Sequence, residues 1–268
     1  MAITTLAGAV AGEQQPVVFI KNEATATSGP WTDFWTDAVN AGTNVTASAN
    51  GSTYSSSSTQ VAGQIRHIDP ASGNSYIATI KFRAAPIGTP TTAMALFVDR
   101  LWQGGTYPAT TTASQAITTP TFPARDINGS TNGDGVVLCM VQTTAFTAIT
   151  TVTVTYTNQS GTGSRTATCV MDVVGAKNTT FFSLQSGDTG VRSVEAVAVT
   201  AAQAAGAYIL IAVRPLAMVP SDTGAKTVCE DVITLGMPRL YDGSVPFVIY
   251  RGQTANVRMV TAYVETIG

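Results

Sequence analysis

His67 is the only histidine in the 268-residue chain, and Asp69 follows two positions later. On an extended segment, residues i and i+2 point to the same side, so an imidazole–carboxylate hydrogen bond is expected there. Such a pair becomes catalytic only with a nucleophile in reach, and no nucleophile-elbow pattern occurs in the sequence. His67 is therefore read as a structural or surface histidine. A second candidate is the run Asp126, Asn128, Ser130, Asn132 and Asp134, with Gly129, Gly133 and Gly135 between and beside them. Calcium takes about six to eight oxygens on a sharply turning loop, and side-chain oxygens at alternate positions resemble that supply. The twelfth position counted from Asp126 is Val137, however, where a bidentate Glu is wanted. The same side chains could instead cap their own backbone as Asx turns. Both readings, a cation loop held by Asp126, Asn128, Asn132 and Asp134 and a self-capped turn, stand on the sequence.

The remaining chemistry-bearing residues read more plainly. Glycoside hydrolysis needs two converging carboxylates, and the one adjacent acidic pair, Glu230-Asp231, falls on a short helix candidate as solvated charge. Gly187-Asp188-Thr189-Gly190 reads as a hairpin turn, since the two-lobed carboxylate chemistry served by such a triplet needs a second copy. Cys139, Cys169 and Cys229 are odd in number and widely spaced, without the close pairs of a metal site. Cys139 and Cys169 lie in apolar strand candidates and are expected to be buried free thiols, with a mutual bridge as the alternative. Trp102, after Asp99-Arg100-Leu101, closes an apolar strand and should anchor a core or an interface. No catalytic residue, cofactor or enzyme activity is assigned.

The elements that would carry these residues are strands. Val152, Val154 and Tyr156 alternate with Thr151, Thr153, Thr155 and Thr157, which places an apolar face opposite a hydroxyl face. Asn158 to Gly163 supplies turn chemistry, and Arg165 to Met171 resumes the strand, so residues 151–168 spell a hairpin. Further strands are expected near 75–84, 92–101, 135–142, 191–199, 207–214, 245–250 and 256–264, with glycine-rich turns between them. An all-β, antiparallel sandwich or jelly-roll-like body follows. Residues 1–30 read as an extended N-terminal arm and 31–268 as the body, with a soft boundary or a crossing loop near 105–122. Trp31 to Asn40 is a helix candidate capped by Thr32 or Asp33, and Thr227 to Leu235 a second, ended by Gly236. Asn44 to Thr59 is low in complexity.

Composition narrows the function classes. Charged residues are 11% of the chain, against roughly 25% in an ordinary soluble domain. The 43 threonines take many of the surface places that charges usually fill. Residues 38–65, 101–124 and 135–164 carry no charge. Net charge is −2 and the 14 basic residues are scattered, so the positive stripe that nucleic acid binding requires is missing. The first residues lack the basic start and apolar core of a signal peptide, and no apolar run is long enough for a spanning helix, so cytoplasmic synthesis without a membrane is expected.

Several stretches together are similar to a family of structural proteins common in tailed-bacteriophage genomes. They are Asp99-Arg100-Leu101-Trp102, Pro123-Ala124-Arg125-Asp126 with Asn128 to Gly133, and Tyr156-Thr157-Asn158-Gln159. Gly187 to Ser193, Arg214-Pro215-Leu216, Pro238 to Gly243 and Val245-Pro246-Phe247 follow in the same order. The resemblance spans roughly 75–268 and implies a capsid-associated virion component without catalysis. A capsid decoration or cement subunit is the expectation, with a tail or fibre component as the alternative. The partners implied are a major capsid protein or other virion proteins and further copies of the chain, a trimer being favoured. Val17, Val18, Phe19, Ile20 and Trp102 are the interface candidates, Val17 to Ile20 as a strand that could add to a neighbour's open edge.

Overall fold

The computed structural model describes residues 3–23, 30–33, 51–54, 65, 67, 69–86, 93–171, 175–221, 227–252 and 257–268. Its elements begin with α1 (Leu6–Ala11), β1 (Val17–Glu23), β2 (Trp31–Asp33), β3 (Ser52–Thr53), β4 (Ser75–Pro86) and β5 (Ala93–Pro108). Then come β6 (Gln115–Ala116), β7 (Val137–Thr144), β8 (Thr150–Asn158), β9 (Arg165–Met171), β10 (Asn178–Phe181) and β11 (Val191–Val199). The chain closes with β12 (Ala207–Ser221), β13 (Val228–Glu230), α2 (Val232–Leu235), β14 (Arg239–Leu240), β15 (Pro246–Gly252) and β16 (Val257–Ile267). Among the described residues the strand pairings are antiparallel and the helices are two short ones, so the expected all-β class holds.

The layering is set by β5 and β12, which pair along nearly their whole lengths. β12 continues through β7, β10, β2 and β15 back to β5, closing a six-stranded barrel, with β3 extending the β15 side of β5. A four-stranded sheet in the order β6-β11-β8-β9 covers one flank, and β1-β16-β4-β13, with β14 also on β4, covers the other. We call these the hairpin sheet and the terminal sheet. Val98, Cys139, Ile211, Val213, Phe247 and Ile249 fill the barrel. Trp102, Leu138, Met140, Leu210 and Tyr208 face outward onto Val152, Val154 and Tyr156 of the hairpin sheet. Phe97, Val219 and Tyr250 face the other way, onto Ile77, Ile80, Phe82 and Tyr263 of the terminal sheet. Barrel strands are thus buried on both faces, which is why 207–213 reads as an uninterrupted apolar run. Each such large side chain contributes about 1.5–3 kcal/mol by leaving water.

The hairpin of β8 and β9 forms as its alternation dictates. Val152, Val154 and Tyr156 are fully buried, and the register runs from Thr150 opposite Met171 to Tyr156 opposite Arg165. At the turn, the Asn158 carboxamide oxygen accepts from Ser160 N, Ser160 Oγ and Thr162 N.

Four expectations need correction. The N-terminal segment is not simply extended: Thr5 caps α1, Ala9 is buried, and β1 pairs with β16 of its own chain from Val17 opposite Tyr263 to Glu23 opposite Val257. Trp31–Asp33, expected to open a helix, is a strand between β10 and β15; the rest of that candidate, like most of 44–59, lies outside the described residues. The second helix is confined to Val232–Leu235, because Val228–Glu230 pairs with β4 first. Asp231 then caps α2 through Ile233 N and Thr234 N, and Gly236 ends it in the left-handed region at φ 66°. Lastly, Trp102 is fully buried and stacks near Phe122 with ring centroids 5.9 Å apart. It anchors the core and has no surface to offer a partner. Ala109, Ile117 and Phe122 are buried in that same core.

Candidate functional site

The 126–134 loop precedes β7, with Gly129 close to Tyr241 and Gly133 close to Val191, and a single carboxylate organises it. Asp126 Oδ1 accepts from Asn128 N at 2.9 Å and Ser130 N at 2.7 Å. Its Oδ2 accepts from Ser130 Oγ at 2.6 Å, Gly133 N at 3.1 Å and Asp134 N at 3.2 Å. Burial pushes the Asp126 carboxyl up, but these donors outweigh it and hold the group below its ordinary value. Asp134 is engaged by Asn128 Nδ2 at 3.0 Å and Thr189 Oγ1 at 2.6 Å, while Asn132 is exposed. The self-capped turn accounts for this geometry. Among the described residues, no group of three or more His, Cys, Asp or Glu is placed to hold a metal ion.

The loop docks on the turn that precedes β11. A Cβ added to Gly133 would lie 2.1 Å from Val191 O, and one on Gly190 would lie 2.0 Å from Gly133 O, so only glycines allow that approach. Asp188 in this turn accepts from Tyr156 Oη at 2.5 Å, Asn158 Nδ2 at 2.7 Å and Arg165 Nε at 2.9 Å. Arg165 first, and then Tyr156, lower its carboxyl to about 2. The Gly187–Gly190 turn is thereby tied to both strands of the hairpin.

The densest polar site was not named from the sequence. It lies where the barrel meets the terminal sheet. Asp99 on β5 is fully buried and accepts from Val245 N at 2.8 Å and Ser244 Oγ at 2.9 Å. Arg125 Nε and Arg214 Nη2 each lie 3.3 Å from its Oδ2. Arg125 also donates to Tyr54 O at 2.7 Å, Arg100 O at 3.0 Å and Gly243 O. Arg100 pairs with Asp33 at 3.3 Å and bonds Gln103, with its guanidinium 5.1 Å from the Phe247 ring centroid. On the far side His67 bridges two carboxylates. Its Nδ1 is 3.0 Å from Glu265 Oε1 on β16, and its Nε2 is 3.3 Å from Asp69, which accepts from Gly243 N at 2.7 Å.

His67 and Asp69 thus come within ion-pair distance on the same side, but the hydrogen bond expected between them goes instead to a distant third member, Glu265. The signal for the rest was charge inside apolar strand sequence: Val98-Asp99-Arg100-Leu101 and Val213-Arg214-Pro215 place ions where almost none are fully buried unless paired. The motifs carrying the family resemblance converge here, since Asp99, Arg100, Arg125, Arg214 and Gly243 are all members. Beside the network, Gly73, Asn74, Pro123, Arg239, Tyr241 and Asp242 line an open pocket of about 320 Å³. Two guanidiniums lie over the Tyr241 ring, Arg214 at 4.9 Å and Arg239 at 4.5 Å from its centroid.

Cys139 fills the barrel and Cys169 the core under the hairpin sheet, so the two thiols occupy different cores and are free. Cys229 on β13 is also free, and exposed.

No protein-family model matches the chain, and no curated protein matches it. Among solved structures, the infectious bursal disease virus VP2 subviral particle aligns at 10% identity and a TM-score of 0.22, covering 95% of this chain and 80% of that one. T=1 particles derived from infectious bursal virus align at 11% identity and 0.20, over 96% and 78%. Overlaps of that size carry no argument about fold or function.

Proposed function

We propose that the chain is a virion structural protein, a capsid decoration or cement subunit that stabilises a phage head by protein–protein contacts and performs no chemistry. One observation carries this reading: the outer face of the hairpin sheet. Thr151, Thr153, Thr155, Thr166, Thr168, Ala196 and Ala198 lie on it in paired register, and Val170 and Ile149 beside them are 62% and 63% exposed. Such a face presents hydroxyls that both donate and accept, and costs less desolvation to cover than a charged one where those hydroxyls find partners. The polar clusters, by contrast, are spent internally on loops and strands. A standard interface buries about 800 Å² per partner, so this face needs neighbouring loops, or a second site, to complete one. The partners proposed are a major capsid protein and further copies of the chain, as a trimer.

The reading is tested by adding purified protein to particles lacking it and following DNA retention on heating. Wild type should raise the release temperature. Thr153→Lys and Val170→Lys should leave folding intact and abolish both binding and protection. Unchanged retention, or labelling of the protein only at the tail, would replace this reading with the tail or fibre one.

A further inference from the structure

The His67 site has a property that its packing role does not require. The described ion network holds four basic groups, Arg100, Arg125, Arg214 and His67, against four carboxylates, Asp33, Asp69, Asp99 and Glu265. Three of the basic groups are guanidiniums that keep their charge at any physiological pH. Of this set, the basic group whose charge changes near neutral pH is the fourth, His67. We infer that His67 is a proton-operated latch, whose imidazolium clamps His67 and Asp69 to β16 and whose deprotonation loosens the terminal sheet from the barrel.

The surroundings of the ring support this. His67 is 2% exposed, with Glu265 reaching it from β16 and Asp69 from its own segment. Asp99 acts on it from β5, with Arg125 and Arg214 beyond as the partners of Asp99. Tyr263, also on β16 and beside Glu265, is held neutral because burial and then that carboxylate raise its phenol well above the ordinary value. Nδ1 lies 3.0 Å from Glu265 and Nε2 lies at ion-pair distance from Asp69, so only the imidazolium sets a positive charge between the two carboxylates. Burial lowers the His67 pKa, but the hydrogen bond and charge of Glu265, with Asp69 and Asp99, outweigh it and leave the group above 6.5. A group raised on folding stabilises fully below its unfolded value and loses that contribution as pH climbs through the folded value. The latch is closed in mild acid and opens toward alkaline pH.

The chain has one histidine, so its imidazole resonance in a proton NMR titration needs no assignment. The midpoint should lie above 6.5 in the folded protein. Between the unfolded and folded values the folding equilibrium constant should fall by up to about tenfold per pH unit. His67→Gln should remove that slope between pH 6.5 and the midpoint, and amide exchange in β16 should accelerate over the same range in wild type only. Should His67→Gln fail to fold, Glu265→Gln decides, by lowering the midpoint. A wild-type midpoint at or below 6.5, or equal pH slopes for wild type and His67→Gln, overturns the inference.

Discussion

At the scale of single residues, the stability of the interior hangs on Asp99. Two guanidiniums share its carboxylate, and removing it would leave Arg125 and Arg214 buried without a counter-charge. Breaking a buried ion pair from one side costs about 3–5 kcal/mol, so Asp99→Asn should lower the unfolding free energy from a denaturant titration by that much or prevent folding. Trp102→Ala should cost a similar 3–5 kcal/mol through the cavity it leaves. Thr153→Ala, on the open face, should stay within about 0.5 kcal/mol. Asp188 carries an acid-side prediction. Its carboxyl is depressed to about 2 by Arg165 and Tyr156, so its contribution is present above the unfolded value near 3.8 and disappears as pH falls toward 2. Melting temperature measured across pH 2–5 should therefore drop less steeply in Asp188→Asn than in wild type.

At the scale of elements, the N-terminal segment behaves as a strand of the fold. β1 supplies an entire ladder to β16, and Thr266 Oγ1 donates to Ala9 O at 2.6 Å to seat α1. Deleting residues 2–23 bares the backbone edge of β16, and bare edges invite pairing between molecules. The truncated chain should melt lower and form aggregates detectable by light scattering. How far such elements were legible depended on how local their causes are. β8, β9 and β11 follow from alternation and turn chemistry, and their observed limits fall within a few residues of those expected. β5 and β12 were read as stopping near Leu101 and Arg214 because charges, glycines and Pro215 look like breakers. They continue because the charges find buried partners and the register shifts between Ala212 and Val213, and between Pro215 and Ala217, absorb the irregularity. α1 gave no signal, since its short, alanine-rich segment is helical only where β16 receives it. Charges inside apolar strand sequence signalled the ion network, but its pairing was not legible for a related reason: His67 and Glu265 are 198 positions apart, and no spacing rule reaches that far.

At the scale of the whole molecule, barrel closure leaves the outermost strands, among the described residues, mainly on the two flanking sheets: β9 and β6 on one, β1, β13 and β14 on the other, with the two-residue β3 beside the barrel. Association through strand addition should therefore involve those sheets first, and cross-linking of any oligomer should map to them before it maps to the barrel. The three-layer plan also equips the protein with its own set of clocks. Cys229 sits on the terminal sheet in contact with solvent, Cys139 is sealed inside the barrel, and Cys169 lies beneath the hairpin sheet. Each layer carries one thiol, so a thiol-reactive dye followed by mass spectrometry times the opening of each layer separately. Cys229 should react at once, and Cys169 should follow whenever the hairpin sheet lifts. Cys139 should react only when the ring of six strands comes apart, at the rate of global unfolding.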